Sequence, residues 1–196
     1  MKIYSICIIR NDIKPAKGIL HVKDVSSFSF FQRTSIAEFL NFMSQTIAEK
    51  TQPGQRQSVE ESAYVGHVYA RAEGVAGVVV TDKEYPPRVA FSLLNKILDE
   101  FTTRFPNNQL WTFEQCSYPE LQQYIETYQD PKQGDTIMKV QRELDETKII
   151  LHKTIESVLE RGEKMESLVE RSDVLSNQSK MFYKTAKKQN ACCVIC

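Results

Sequence analysis

The stretch IMKVQRELDETKIILHKTIESVLERGEKMESLVERSDVLSNQSKMFYKTAKKQ, residues 137–189, decides how this chain is put together. No glycine occurs between Asp135 and Arg161 and no proline follows Pro131, while Glu, Lys, Gln and Arg dominate. Apolar residues return at alternating steps of three and four: Ile137, Val140, Leu144, Leu151, Val158, Met165, Leu168, Leu175, Phe182 and Ala186. A seam kept up well beyond three or four heptads predicts one long coiled-coil helix over residues 135–191. The remaining seam positions hold Thr147, Thr154, Arg161, Ser172, Ser179 and Gln189. So many polar or small residues make the helix a poor partner for a copy of itself, and the pattern predicts a helix completed by other chains.

Arg161 stands at a d position, with Val158 three residues before it and Met165 four after. Its guanidinium keeps its charge at any physiological pH and presents five donors, so burying it without partners costs several kcal/mol. Amide or carboxylate side chains from partner helices at the same layer would satisfy it and fix the register. The competing reading has Arg161 snorkel from the edge of a loose two-stranded coil.

Beyond the seam stand Cys192 and then Cys193-Val194-Ile195-Cys196, a thiol, two aliphatics and a terminal residue, the pattern a prenyltransferase reads. Farnesyl is the expected chain on Cys193, although Cys196 is a less usual terminal residue than Ser, Met, Gln or Ala. One prenyl chain holds a bilayer only marginally, at about 0.8 kcal/mol per buried CH₂, so a second signal is needed. Cys192 as an acyl or second prenyl site would supply it, as would Lys180, Lys184, Lys187 and Lys188, each adding roughly 1 kcal/mol at an anionic leaflet. The same thiols also form a C-x-x-C, but zinc wants a second ligand pair and redox chemistry a strand-to-helix turn, and the sequence offers neither. No metal site is expected.

The first 130 residues read differently. With 41% hydrophobic and 10% aromatic residues overall, the chain can bury one sizeable core and leave a long element outside it. The 25 basic residues match the 25 acidic ones, which leaves no global field for nucleic acid. No window approaches the roughly 20 apolar residues of a membrane span, and no cleavage site follows the short apolar run at the N-terminus, so the chain is expected in the cytoplasm and on the cytosolic face of membranes. Cys7 and Cys116 are expected as free thiols there. Strand signals cover residues 2–10, 17–25, 55–62, 64–71 and 75–81, and helical spacing covers 34–50, with Thr34 or Ser35 as N-cap. Pro86-Pro87 opens a second helix with Phe91, Leu94, Leu98 and Phe101 on its apolar face, and a shorter helix over 119–128 precedes a boundary at Gln129-Asp130-Pro131.

Taken together, these features resemble the prenylated longin-type R-SNARE family over essentially the whole chain. Leu144-Asp145-Glu146-Thr147, Val158-Leu159-Glu160-Arg161-Gly162 and Lys180-Met181-Phe182-Tyr183 are similar to a vesicle-type R-SNARE motif, and the Cys-Cys-a-a-X end stands where other members carry a transmembrane anchor. The resemblance implies an α+β chain: a profilin-like longin domain over residues 1–130, a five-stranded antiparallel sheet between helices, then the long SNARE helix over 135–191 and a lipidation signal at 192–196. It implies Arg161 as the central layer facing three glutamines, and Ile137, Val140, Leu144, Thr147, Leu151, Thr154, Val158, Met165, Leu168, Ser172, Leu175, Ser179, Phe182, Ala186 and Gln189 as the stacked layers of a parallel four-helix bundle with three Q-SNARE helices. It also implies Cys193 farnesylated or geranylgeranylated and methyl-esterified once Val194 to Cys196 are removed, and Cys192 palmitoylated or given a second prenyl group. These covalent lipids are the only non-protein groups implied. Membrane fusion in ER/Golgi and endosomal/vacuolar transport follows from the same resemblance, with SNARE-disassembly and tethering machinery as further partners.

An enzyme needs convergent groups, and His21, His67 and His152 are scattered; Pro53-Gly54-Gln55-Arg56 lacks the Gly-Lys-Ser/Thr that cradles phosphate. The rival reading is therefore also non-enzymatic, a longin-fold trafficking adaptor with a static coiled coil. Phe42 is the last residue singled out. At 100° per residue it lies about 120° from Ile36, beside the buried stripe of the first helix. Either a neighbouring strand partly covers it, or it forms a docking patch on the longin domain for the SNARE segment, whose off-seam Ile155, Leu159 and Val169 suit a second packing mode. Docking is the favoured reading. The longin family's folded-back states imply the same contact, one that would hide the seam and shelter the prenyl chain.

Overall fold

The computed structural model describes residues 1–130 and 149–192. Apolar residues point to both sides of the first strand, β1 (Ile3–Arg10): Ile6 and Ile8 enter one apolar cluster, Cys7 and Ile9 the other. A strand buried on both faces belongs in the middle of a sheet. β1 accordingly lies between β2 (Lys17–Lys23) and β5 (Val75–Asp82), antiparallel to each. With β3 (Arg56–Glu61) and β4 (Tyr64–Ala70) the five form the expected antiparallel sheet, to which a further strand, β6 (Ile149–His152), adds parallel to β3 in the order β2-β1-β5-β4-β3-β6.

One face is covered by α2 (Pro87–Arg104) and α3 (Glu120–Thr127), whose Phe91, Leu94, Leu98, Phe101, Leu121 and Ile125 are buried. α2 can come this close because β5 offers a glycine. A Cβ on Gly77 would stand 2.8 Å from Leu94 Cδ2. Gln129 accepts from Ile3 N at 3.1 Å and donates to Ile3 O at 2.7 Å, tying the residues after α3 to β1.

The other face receives α1 (Phe30–Glu49), with Ile36, Phe39, Leu40, Phe42, Met43 and Ile47 buried. The helix starts four residues before the expected Thr34. Ser29 donates to Gln32 Oε1 at 2.9 Å, a Ser-x-x-Gln start signal, and Phe30 and Phe31 remain exposed, so they add nothing to the apolar stripe on which the sequence-based boundary rested.

The C-terminal segment departs furthest from expectation. The single long helix predicted over 135–191 is replaced, within residues 149–192, by β6, a 3₁₀ turn (Ile155–Ser157), α4 (Met165–Arg171) and α5 (Asn177–Cys192). The physical reasons are local and tertiary together. Gly162 sits at φ +88°, which ends any right-handed helix there. Ser172 Oγ accepts from the Val174 and Leu175 amides at 3.2 and 3.3 Å, a turn that separates α4 from α5. Off-seam Ile155 and Val169 are buried against the longin domain, a use of the segment that the heptad count does not register. The α+β class holds. Ile137, Val140, Leu144 and Thr147 lie outside the described residues, as do Cys193 to Cys196.

A buried polar relay crosses the α2 side of the sheet. Thr81 Oγ1 donates to Asp82 O at 2.9 Å and so accepts from His67 Nε2 at 3.1 Å, which leaves His67 Nδ1 to accept from Ser58 Oγ at 2.8 Å. Burial pulls the His67 imidazole down from 6.5 to about 4. Between those values the unfolded chain binds more protons than the folded one, so stability is expected to fall as pH drops from about 6.5 to about 4, by on the order of 3 kcal/mol. Urea melts of wild type and His67→Gln across that range check it, the variant giving the shallower dependence. Gly77→Val should cost about 1–3 kcal/mol by pushing α2 off the sheet, read as a lowered melting temperature.

Candidate docking interface

α1 alone is too narrow for its face of the sheet, and the C-terminal segment fills what it leaves open. Ile155, Met165, Val169, Leu175 and Tyr183 are all buried in one cluster with Phe42, Met43 and Ile36 of α1 and with Val59, Val68 and Val78 of the sheet. Phe42 is therefore buried, in the same cluster as the C-terminal segment. It also lines, with Ala16, Thr46, Leu168 and Val174, a cavity of about 560 Å³. A second cavity of about 200 Å³ opens between Phe28, Ile36, Phe39 and Ala63 on one side and Phe182 and Ala186 of α5 on the other.

Polar contacts fix the register of this packing. His152 Nε2 meets Gln57 Oε1 at 3.1 Å, beside the β3–β6 ladder. Lys50 at the end of α1 grips Glu163 at 3.0 Å and Glu160 at 3.2 Å. Burial works against the Lys50 charge, but the hydrogen bonds to Glu163 and Glu160 outweigh it and raise its pKa. Glu38 accepts from Ser176 N at 2.8 Å; burial pushes its carboxyl up, and the Ser179 and Ser176 hydrogen bonds pull it below the ordinary value. Tyr183 stacks on Phe39 with centroids 5.3 Å apart and donates to Glu61 Oε1 at 3.1 Å. Burial raises the Glu61 pKa, and Lys187 and Tyr183 only partly counter it.

The seam residues are divided by this arrangement. Met165, Leu175 and Ser179 are buried; Val158, Leu168, Ser172, Phe182 and Ala186 are half-buried; Leu151, Thr154 and Arg161 are exposed. Arg161 stands in the turn before Gly162 with its guanidinium in solvent, where its charge costs nothing to desolvate. α5 runs through Gln189 and ends at Cys192. Sequence reasoning missed Tyr183, Glu61, Lys50 and Glu38. Only Tyr183 carried a signal, a large aromatic one residue off the seam; the three charged residues have nothing in sequence to separate them from an ordinary solvated surface. Among the described residues no helix is long and apolar enough to cross a membrane, and no three His, Cys, Asp or Glu residues are grouped to hold a metal ion.

Residues 25–125 match the longin family, described as a regulated-SNARE-like domain, and residues 136–194 match synaptobrevin. Over 100% of both chains, the protein is 61% identical to "Synaptobrevin homolog ykt6" of Schizosaccharomyces pombe. It is 54% identical to "Synaptobrevin homolog YKT6" of Saccharomyces cerevisiae and 50% to that of Yarrowia lipolytica, again over the full length of each. A longin domain followed by a synaptobrevin segment, with full-length likeness at this level, means that the chain belongs to the longin-type R-SNARE family, non-enzymatic proteins of vesicle trafficking that partner with other SNARE helices.

Proposed function

We propose that the chain exchanges two packings of one segment. In the first, residues 149–192 lie on the longin domain and the seam is withheld. In the second, the segment straightens into a helix from Ile137 to Gln189 and zippers with three Q-SNARE helices, Arg161 at the centre facing three glutamines. The observation that carries this reading is the burial of Met165, Leu175 and Ser179 against the longin domain, since the same atoms cannot also fill the core of a four-helix bundle. The exchange is favourable only so far as the partners bind the straight form better than the longin domain binds the folded one. Phe42 serves as the docking point. Zippering toward the C-terminus draws two bilayers together, with tethers bringing the membranes close and disassembly machinery restoring the folded form.

The pull needs an anchor. In this reading Cys193 carries a farnesyl or geranylgeranyl chain, cleaved after it and methyl-esterified, and Cys192 carries palmitate or a second prenyl group. The anchor holds the protein on the cytosolic face of Golgi, ER-derived, endosomal or vacuolar membranes. The apolar cavity of about 200 Å³ beside α5 supports a shelter for such a chain while the protein is off the membrane.

Val169→Asp, off the seam and fully buried against the longin domain, should cost the folded-back form on the order of 3 kcal/mol, about a hundredfold in the opening equilibrium, without placing a charge in the bundle core. Hydrogen exchange should then accelerate across residues 149–188 while β1 and β5 stay protected, and complex formation with three Q-SNARE helices should speed up. Equal exchange in variant and wild type would remove the folded-back form from the mechanism. For the anchor, Cys193→Ser should reduce flotation with membranes to the weak level of the unlipidated chain and Cys192→Ser should leave rapidly reversible binding, with mass spectrometry of the C-terminal peptide reading the lipids directly.

A further inference from the structure

Phe30 and Phe31 open α1 with 78% and 84% of their surfaces exposed, rings edge to face at 5.8 Å. Burying a phenyl ring is worth roughly 1.5–3 kcal/mol, so two adjacent rings held in water mark a surface kept for a partner. Nothing in the longin core calls for them. The first turn of α1 contains no acidic residue, and none occurs from Val25 through Ala37, where Arg33 is the one charged side chain.

Their place in the fold indicates the partner. Phe28 and Gln32, on either side of the pair, wall the same cavity as Ala186 and Lys187 of α5. Cys192, where α5 ends, follows Lys187 by five residues, about 7.5 Å of helical rise, so the helix stops within reach of the aromatic pair. We propose that Phe30 and Phe31 form an aromatic wedge that enters the lipid–water interface of an anionic bilayer, so that the longin domain itself touches the membrane at the end from which the C-terminus emerges. Aromatic rings favour that interface, and a segment whose one charged side chain is Arg33, with the Asp24 carboxylate at its edge tied to Ser26 and Lys2, suits lipid phosphates. The inference rests on the reading that the chain works at a membrane, but it assigns a contact separate from the lipid anchor.

The test uses the full chain produced in bacteria, which carries no lipid, and phosphatidylcholine vesicles containing phosphatidylserine. Phe31→Trp should shift its fluorescence to the blue when vesicles are added, against a constant background from the buried Trp111. Phe30→Ser/Phe31→Ser should lower vesicle partitioning at least about tenfold. Both rings are exposed in the free protein, so an unchanged melting temperature will show that the variant folds. Emission that ignores vesicles, or partitioning equal to wild type, would overturn the wedge. So would a wild-type dimer in sedimentation that the double variant abolishes without changing vesicle binding, which would give the pair to a second copy of the chain. Because no lipid is attached in this experiment, its failure would leave the anchor on Cys193 untouched.

Discussion

A sheet with two apolar faces must be covered twice, and everything else in this protein follows from how unequally that is done. α2 and α3, with Trp111, Tyr118 and Tyr128, close one face from within the longin domain. On the other, α1 leaves a strip of β3, β4 and its own flank that Ile155, Met165, Val169, Leu175 and Tyr183 complete. Take those five away and apolar surface on Phe42, Phe39 and Val59 returns to water. The longin domain therefore arrives with a defect in its core that is the shape of a partner, and the partner is a segment of the same chain.

The chemistry of that seal suits a reversible contact. Its apolar part is made of single side chains from short elements separated by turns at Gly162 and Ser172, rather than of one continuous helix. Its ion pairs join Lys50 to Glu160, which is 80% exposed, and to Glu163, which keeps only a fifth of its surface in water. Exposed pairs contribute little net free energy and are screened by salt, so they set position more than strength. The strand pairing of β6 on β3 supplies backbone hydrogen bonds that any helical form of the same residues would make internally instead. Hydrogen bonding thus changes partners without a large net change, and the balance between the two forms is left to side-chain burial.

The longin sheet was legible because its signals are local. The continuous apolar, β-branched runs of β1 and β5 and the Pro86-Pro87 start of α2 each reflect a constraint that acts within a few residues. The C-terminal segment was legible only as half of its behaviour. Heptad spacing reports the surface a helix would offer to other helices, and it cannot report that Leu151 is left in water while off-seam Ile155 and Val169 are buried, because that depends on an α1 face more than 100 residues away in sequence. The same distance hides Lys50 and Glu61, ordinary charged residues until a segment folds back on them. Phe42 was legible as an aromatic beside the buried stripe of α1, but not its burial in one cluster with Met165 and Val169, which come from the other end of the chain.

Gly162 links these two halves. Its Cβ position is open, with no atom within 4 Å, so the only thing a side chain would disturb there is the backbone dihedral at +88°. That dihedral costs an L-residue roughly 1 kcal/mol or more, and a glycine within a continuous helix costs about 1 kcal/mol relative to alanine. The two penalties bear on opposite forms of the segment. Gly162, beside Arg161, is thus a counterweight: by being glycine it lowers the folded-back form and raises the straight one together, shifting the poise between them without touching either packing surface.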